Sequence, residues 1–173
     1  MTVLRPAAVY GPRDREFLRL FRAAAAGVVP VFGGGRQELS LVYAPDLAEA
    51  VVRALAAPAA AGQTLNVASA EVVTAKGLVE AIAATTGRSV RRLPVPLAAL
   101  TVGCAMAGVW AALTRRPTVL AHGKRRELIA PGWVADTTRL RRTLGVVCAT
   151  RLGEGLAQTQ AWYAGAGVVR GKR

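Results

Sequence analysis

The sequence predicts an α/β chain with a parallel but incomplete sheet. Short β-prone runs alternate with helical stretches of ten or more residues, the pattern of parallel pairing through crossover helices. The first β-prone run, Thr2 to Tyr10, is apolar on both faces and needs a neighbour on each side, yet few later runs match its quality. With 53% apolar residues in 173, the chain can bury a sizeable core.

In order along the chain, Thr2–Tyr10 reads as a buried strand ending in the Gly11-Pro12 turn. Arg15 to Ala26 predicts a helix, with Phe17, Leu18, Leu20, Phe21 and Ala24 at helical spacing and Gly27 just past its end. Val28–Phe32 is a short strand stopped by Gly33-Gly34-Gly35, and Leu39–Tyr43 is another. Asp46 with Glu49 three residues on has capping-box spacing, which predicts a helix from Leu47 to Ala57. Gln63–Ala68 reads as a strand. Thr74 is a helix N-cap for Ala75–Thr86, closed by Gly87. Val90–Val95 is a strand ending in Pro-Val-Pro. Leu97–Thr114 is uncharged and apolar, flanked by the pairs Arg91-Arg92 and Arg115-Arg116. A short helix near Val119–Leu128, a strand around Trp133, and helices over Thr137–Leu144 and Arg151–Ala164 complete the reading.

Lys and Arg number 23 against 10 acidic residues, a net charge of +13 that raises nucleic acid or an anionic surface as a partner. Twenty of the 23 are Arg in an Ala-rich chain, so compositional bias accounts for much of the excess. Only 5% of residues are aromatic and the Arg are scattered through helices, which disfavours a specific nucleic-acid module. Cys104 and Cys148 stand 44 positions apart with one His in the chain, so no zinc site or disulfide framework is expected and no metal ligands are assigned. The N-terminus lacks a charged and apolar leader, which predicts a cytoplasmic protein without a signal peptide.

Val3-Leu-Arg-Pro-Ala-Ala-Val-Tyr-Gly-Pro12 resembles the strand and turn that follow the catalytic Tyr-x-x-x-Lys of extended short-chain dehydrogenases/reductases, the NAD-dependent epimerase/dehydratase family. Further pieces follow in that family's order: Ser40–Ala50, Thr64–Ala68, Trp133–Asp136, Leu144-Gly145 and Leu152–Thr159 with Trp162-Tyr163. The apolar segment after Pro94-Val-Pro96 is more similar to the 3β-hydroxysteroid dehydrogenase-like branch than to sugar-nucleotide epimerases. The resemblance implies an incomplete Rossmann-type parallel sheet, its last strands, with a mostly helical C-terminal substrate-binding region. It also implies that residues 1–173 are the C-terminal part of such an enzyme, without the N-terminal nucleotide-binding half.

Two family devices have no match in the sequence. No Gly-rich loop opens a helix, so nothing provides the usual approach for a dinucleotide pyrophosphate. Tyr10, Tyr43 and Tyr163 are followed four places on by Asp14, Leu47 and Gly167, so no phenol shares a helix face with a Lys that would lower its pKa. No catalytic residue is therefore assigned.

The resemblance places Pro6, Ala7 and Val9 on the cofactor side of the first strand, and Ala8 and Tyr10 on the substrate side, with NAD or NADP as the cofactor of the complete protein. The plainer reading of this segment is a buried strand. Ala8 stands where sugar-nucleotide epimerases often carry a polar residue. Arg36 is a candidate for a substrate phosphate or simply a solvated loop Arg. His122 reads as a surface histidine. Met106 and Trp110 are candidates for contact with an apolar substrate. Leu97–Thr114 itself is open between a pocket helix, an interfacial helix resting on a membrane, and a short span.

The leading expectation is thus the substrate-binding portion of an NAD(P)-dependent oxidoreductase or epimerase, inactive alone, acting on a hydroxyl or carbonyl of a lipophilic, sterol-like small molecule. A nucleotide-sugar epimerase/dehydratase and a basic nucleic-acid or anionic-membrane module are the alternatives. Peripheral membrane contact through Leu97–Thr114 and self-association are the expected partnerships.

Overall fold

A computed structural model describes residues 1–87, 89–114 and 130–168 of the chain. The predicted short helix near Val119–Leu128, His122 and the Arg115-Arg116 pair lie outside the described residues. The α/β class holds, with parallel pairing dominant. β1 (Val3–Pro6) pairs in parallel with β5 (Thr64–Val67), Val3 opposite Thr64. β2 (Ala8–Tyr10) pairs in parallel with β4 (Glu38–Tyr43), which also carries antiparallel β6 (Val72–Thr74) and parallel β8 (Gly132–Trp133). β3 (Val28–Phe32) pairs in parallel with β7 (Arg91–Val95).

The six helices among the described residues are α1 (Arg15–Ala25), α2 (Ala44–Ala56), α3 (Ala75–Thr86), α4 (Leu97–Thr114), α5 (Thr138–Leu144) and α6 (Leu152–Gly165). Local chemistry sets most of their ends. The Asp14 carboxylate accepts from the N–H of Glu16 and Phe17, and Thr74 Oγ1 from that of Gly77, each relieving unpaired donors of a first turn. Gly87 and Gly145 close α3 and α5 in the left-handed region, where glycine carries no Cβ penalty.

Two cores lie on either side of β4. Side chains alternate along a strand, so Leu41 and Tyr43 join Phe21 of α1, Ile82 of α3 and Leu156 of α6, while Val42 joins Ala50, Leu65, Val67, Leu140 and Cys148. A strand buried on both faces reads as the continuous apolar run Leu41-Val42-Tyr43.

Two expectations are corrected. Thr2–Tyr10 is not one buried strand. It breaks at Ala7, whose N–H bonds to the Val67 carbonyl at 2.9 Å, and the second half turns to β4. Arg5, Pro6, Ala8 and Val9 are exposed, because among the described residues β1 and β2 each have a neighbour on one side only. Asp46 is not an N-cap. Pro45, with its φ already helical, lets α2 start at Ala44, and the freed Asp46 carboxylate binds Thr150 instead, at 3.1 Å to its N–H and 2.7 Å to its hydroxyl. Glu49 meets Arg53 at 3.5 Å. Among the described residues no helix is long and apolar enough to cross a membrane.

Candidate functional site

The end of β1 and the start of β2 form the stretch where sequence reasoning placed the site. Pro6, Ala8 and Val9 face open surface and Ala7 is half-buried. Tyr10 is different. It shares the strand face of Ala8, but α1 and α6 close over it, leaving the ring 2% exposed between Phe17 and Tyr43, with centroids 5.6 and 5.4 Å away. Burial, and then the charges of Asp46, Tyr43, Glu71 and Glu154, push the phenol well above its ordinary value, so it stays protonated. Tyr10 is a core residue in this arrangement.

Arg36 is exposed after the Gly33–Gly35 turn, beside the β3–β7 pair, and β7 leads directly into α4. Met106 and Trp110 lie on α4, 68% and 67% exposed. The predicted residues therefore fall into two groups, Pro6–Tyr10 on β1 and β2, and Arg36, Met106 and Trp110 around β3, β7 and α4. None of the cavities described here contains both groups. A groove of about 540 Å³ runs between the N-terminal strand and α2, lined by Leu4, Val51, Leu55 and Pro58 among others. One of about 140 Å³ adjoins Arg141 and Cys148, and a recess of about 10 Å³ adjoins Tyr10, Glu71 and Thr150.

Sequence reasoning missed the polar network that ties the segments together. Ser40 Oγ accepts from the Ala135 N–H at 3.0 Å, Asn66 Nδ2 donates to the Asp136 carbonyl at 3.2 Å, and the Tyr43 hydroxyl donates to Gln158 Oε1 at 2.8 Å. The Leu152 N–H donates to Glu71 Oε2 at 3.2 Å, helping to seat the start of α6. These partners are 70 to 115 positions apart, as their sequence numbers give, and no local pattern signals such pairs. Several sit in the very pieces that carry the family resemblance, where they tie distant segments of the chain together. Among the described residues no group of His, Cys, Asp and Glu is arranged to hold a metal. Cys148 is buried and free, its thiol pushed up to about 11 by burial and then by the charges of Asp46 and Glu49, which makes it a poor nucleophile.

This is the α/β architecture of nucleotide-dependent epimerases and dehydratases. Residues 1–68 match the family model described as "NAD dependent epimerase/dehydratase family". It is 28% identical over 166 residues to the ceramide reductase of Caulobacter vibrioides, covering 95% of this chain and 51% of that protein. Among solved structures, an epimerase from Methanothermobacter thermautotrophicus superposes with a TM-score of 0.73 at 17% identity, over 98% of this chain and 45% of that one. The UDP-glucose 4-epimerase of Thermotoga maritima, solved with UDP-glucose, gives 0.70 at 22% identity, over 95% and 46%. The chain thus spans about half the length of the relatives it matches, and the solved structures establish the shared fold. A dTDP-glucose 4,6-dehydratase from Bacillus anthracis with this fold was solved with NAD.

The residues of this chain fit only part of such a cofactor. Pro6 has no N–H, the Ala7 N–H is bonded to Val67, and Val9 offers an alkyl side chain. Their side chains are apolar. They supply no donors for a ribose or a pyrophosphate.

Proposed function

We propose that this chain is the substrate-binding portion of an NAD(P)-dependent oxidoreductase or epimerase acting on a hydroxyl or carbonyl of a lipophilic molecule, with no turnover by itself. The observation that carries the reading is α4, eighteen uncharged residues with Val102, Met106 and Trp110 exposed along one stripe. The 28% identity to a protein named ceramide reductase supports a lipid-like substrate. The nicotinamide of a bound cofactor supplies or accepts a hydride. For this chain's part, Pro6, Ala7 and Val9 form an apolar wall at the ring, and Ala8 offers no partner to a sugar hydroxyl. Each hydroxyl left unpaired costs about 1 to 3 kcal/mol, which weighs against a nucleotide sugar. That second reading is favoured by one observation, the exposed Arg36 after the glycine turn, suited to a phosphate.

The test joins the N-terminal half of the Caulobacter ceramide reductase to Met1. The chain alone is expected to show no saturable NADH or NADPH binding in the micromolar range by calorimetry. The fusion is expected to reduce a long-chain ketone and to leave UDP-glucose unchanged. Conversion of UDP-glucose without turnover of the ketone would overturn the lipophilic reading, and tight cofactor binding by the chain alone would overturn the half-enzyme reading.

A further inference from the structure

The chain covers 51% of the Caulobacter ceramide reductase and 45% of the Methanothermobacter epimerase. A fold of which these residues are about half has a second half to seat, and two neighbouring features of the surface fit that purpose. The first is the outer edge of β1, which among the described residues pairs with β5 alone. Val3 and Ala7 turn their N–H groups to β5, so Leu4 points its N–H and C=O to the open side and Pro6 its C=O only. The second is the groove of about 540 Å³ beside that edge, to which Leu4, Val51, Ala54 and Leu55 contribute. Val51, Ala54 and Leu55 stand at i, i+3 and i+4, one stripe of α2. Ala50 of the same helix is fully buried, whereas Val51 is 41% and Leu55 85% exposed.

The handedness of parallel sheets says what covers that stripe. Leu4 packs with Leu47 and Ala50, so α2 lies over the sheet face to which the Leu4 side chain points. α2 is also the last helix of the connection from β1 to its parallel neighbour β5. Crossovers between parallel strands are right-handed in about 98% of cases. A parallel strand on the open side of β1, joined to β1 by a helix, advances across the sheet in the same direction as β1 to β5. Its helix therefore lands on the face that carries α2, over the groove. One strand–helix unit answers both features at once: the strand takes the Leu4 backbone groups, and the helix covers Val51 and Leu55. A cavity of roughly 150 Å³ holds a benzene ring, so the groove has room for about three side chains of that size. An acyl chain would fill the groove but leave the Leu4 N–H and C=O bare.

We propose that the open edge of β1 and the groove along α2 form one docking surface for a parallel strand and its crossover helix, the seat of the nucleotide-binding half. This rests on the half-enzyme reading above, but on no choice of substrate. The test follows amide exchange in the fusion of the Caulobacter N-terminal half to Met1 and in the chain alone. The Leu4 amide is expected to exchange about a hundredfold more slowly in the fusion. Leu55→Lys and Val51→Lys should each raise that rate about tenfold in the fusion. In the chain alone at low concentration, where Leu55 is 85% exposed, Leu55→Lys should keep the melting transition of the parent. Leu93→Lys, exposed on β7 and outside the groove, should leave the Leu4 protection unchanged. A Leu4 amide that exchanges as fast in the fusion as in the chain alone, or protection untouched by both groove variants, would overturn the proposal. A dimeric fusion that loses the protection on dilution would assign the groove to a second copy instead. Turnover separates this from the functional reading. A fusion that reduces the ketone with Leu4 unprotected sinks the docking surface alone, and a protected Leu4 without ketone turnover sinks the lipophilic substrate alone.

Discussion

Gly155 of α6 lies directly against the ring of Tyr10: a Cβ built on Gly155 would stand 2.9 Å from Tyr10 Cε2 and closer still to the hydroxyl. The last helix reaches the end of β2 only because this position has no side chain. A glycine within a helix ordinarily costs about 0.5 to 1 kcal/mol relative to alanine, so alanine should help unless space forbids it. Here it does, since the Tyr10 ring is held by Phe17 and Tyr43 and has nowhere to move. Gly155→Ala is expected to lower unfolding stability by about 1 to 3 kcal/mol. Gly153→Ala in the same helix, with open space around it, should be neutral or slightly stabilising. Urea unfolding of the pair checks this, and equal effects would refute the close packing.

The Asp46 carboxylate holds Thr150 by two hydrogen bonds across 104 positions. Asp46→Ala should cost about 1 to 3 kcal/mol, and the loss should appear in a particular place. A lost N-cap would fray the start of α2. A lost tether would loosen the segment leading into α6, so amide hydrogen exchange should accelerate near Thr150–Leu156 while α2 keeps its protection. The opposite distribution would restore the capping reading.

Asp46 also illustrates what is legible in a sequence of this kind. The spacing Asp46-x-x-Glu49 satisfies a local rule, and the rule lost because Pro45 moved the helix start and a distant Thr150 offered a better donor. Where only local chemistry decides, the sequence was sufficient: Thr74 caps α3, and Gly87 and Gly145 end α3 and α5 as their positions predict. β6 is three residues long, too short to display alternation. The break at Ala7 depends on β4 and β5, whose register with residues 3–10 is not written in those residues. For the site, the resemblance sets Ala8 and Tyr10 together on the substrate side, whereas the burial of Tyr10 needs α6, which arrives about 145 residues later.

Alkaline pH should destabilise the fold from about pH 9 upward. The Cys148 thiol is raised from 9.0 to about 11, chiefly by burial, and the Tyr163 phenol from 10.0 to about 12, by burial and then by the charge of Asp14. A group whose pKa is higher in the folded state than in the unfolded one contributes stability that is complete below the unfolded value and disappears as pH rises through the folded value. The windows are therefore about pH 9 to 11 for Cys148 and about pH 10 to 12 for Tyr163. Tyr163 also donates to the Asp14 carbonyl at 2.6 Å. Tyr163→Phe should lose about 1 kcal/mol at neutral pH and should show a shallower decline above pH 10. Cys148→Ala should flatten the decline that begins near pH 9. Urea midpoints measured from pH 7 to 11 decide both, and an unchanged slope in either variant would remove that group from the account.

Self-association should occur through the groove beside β1 rather than through the strand edge alone. Val3 and Ala7 direct their N–H groups at β5, to the carbonyls of Gln63 and Val67, so Leu4 and Pro6 face the other side. Pro6 has no N–H, which leaves Leu4 as the donor on that edge and blunts it as a template for another strand. The adjoining groove of about 540 Å³ is lined mainly by apolar side chains, and Leu55 on its rim is 85% exposed. Contiguous apolar surface of this kind drives association. Light scattering should therefore report a mass that rises with concentration. Leu55→Lys should shift the chain towards monomer, and Leu4→Pro, which removes the edge donor but leaves the groove, should shift it much less. A chain that stays monomeric at every concentration and melts cooperatively would show that the groove is harmless in isolation, and the reverse ranking of the two variants would assign the contact to the strand edge.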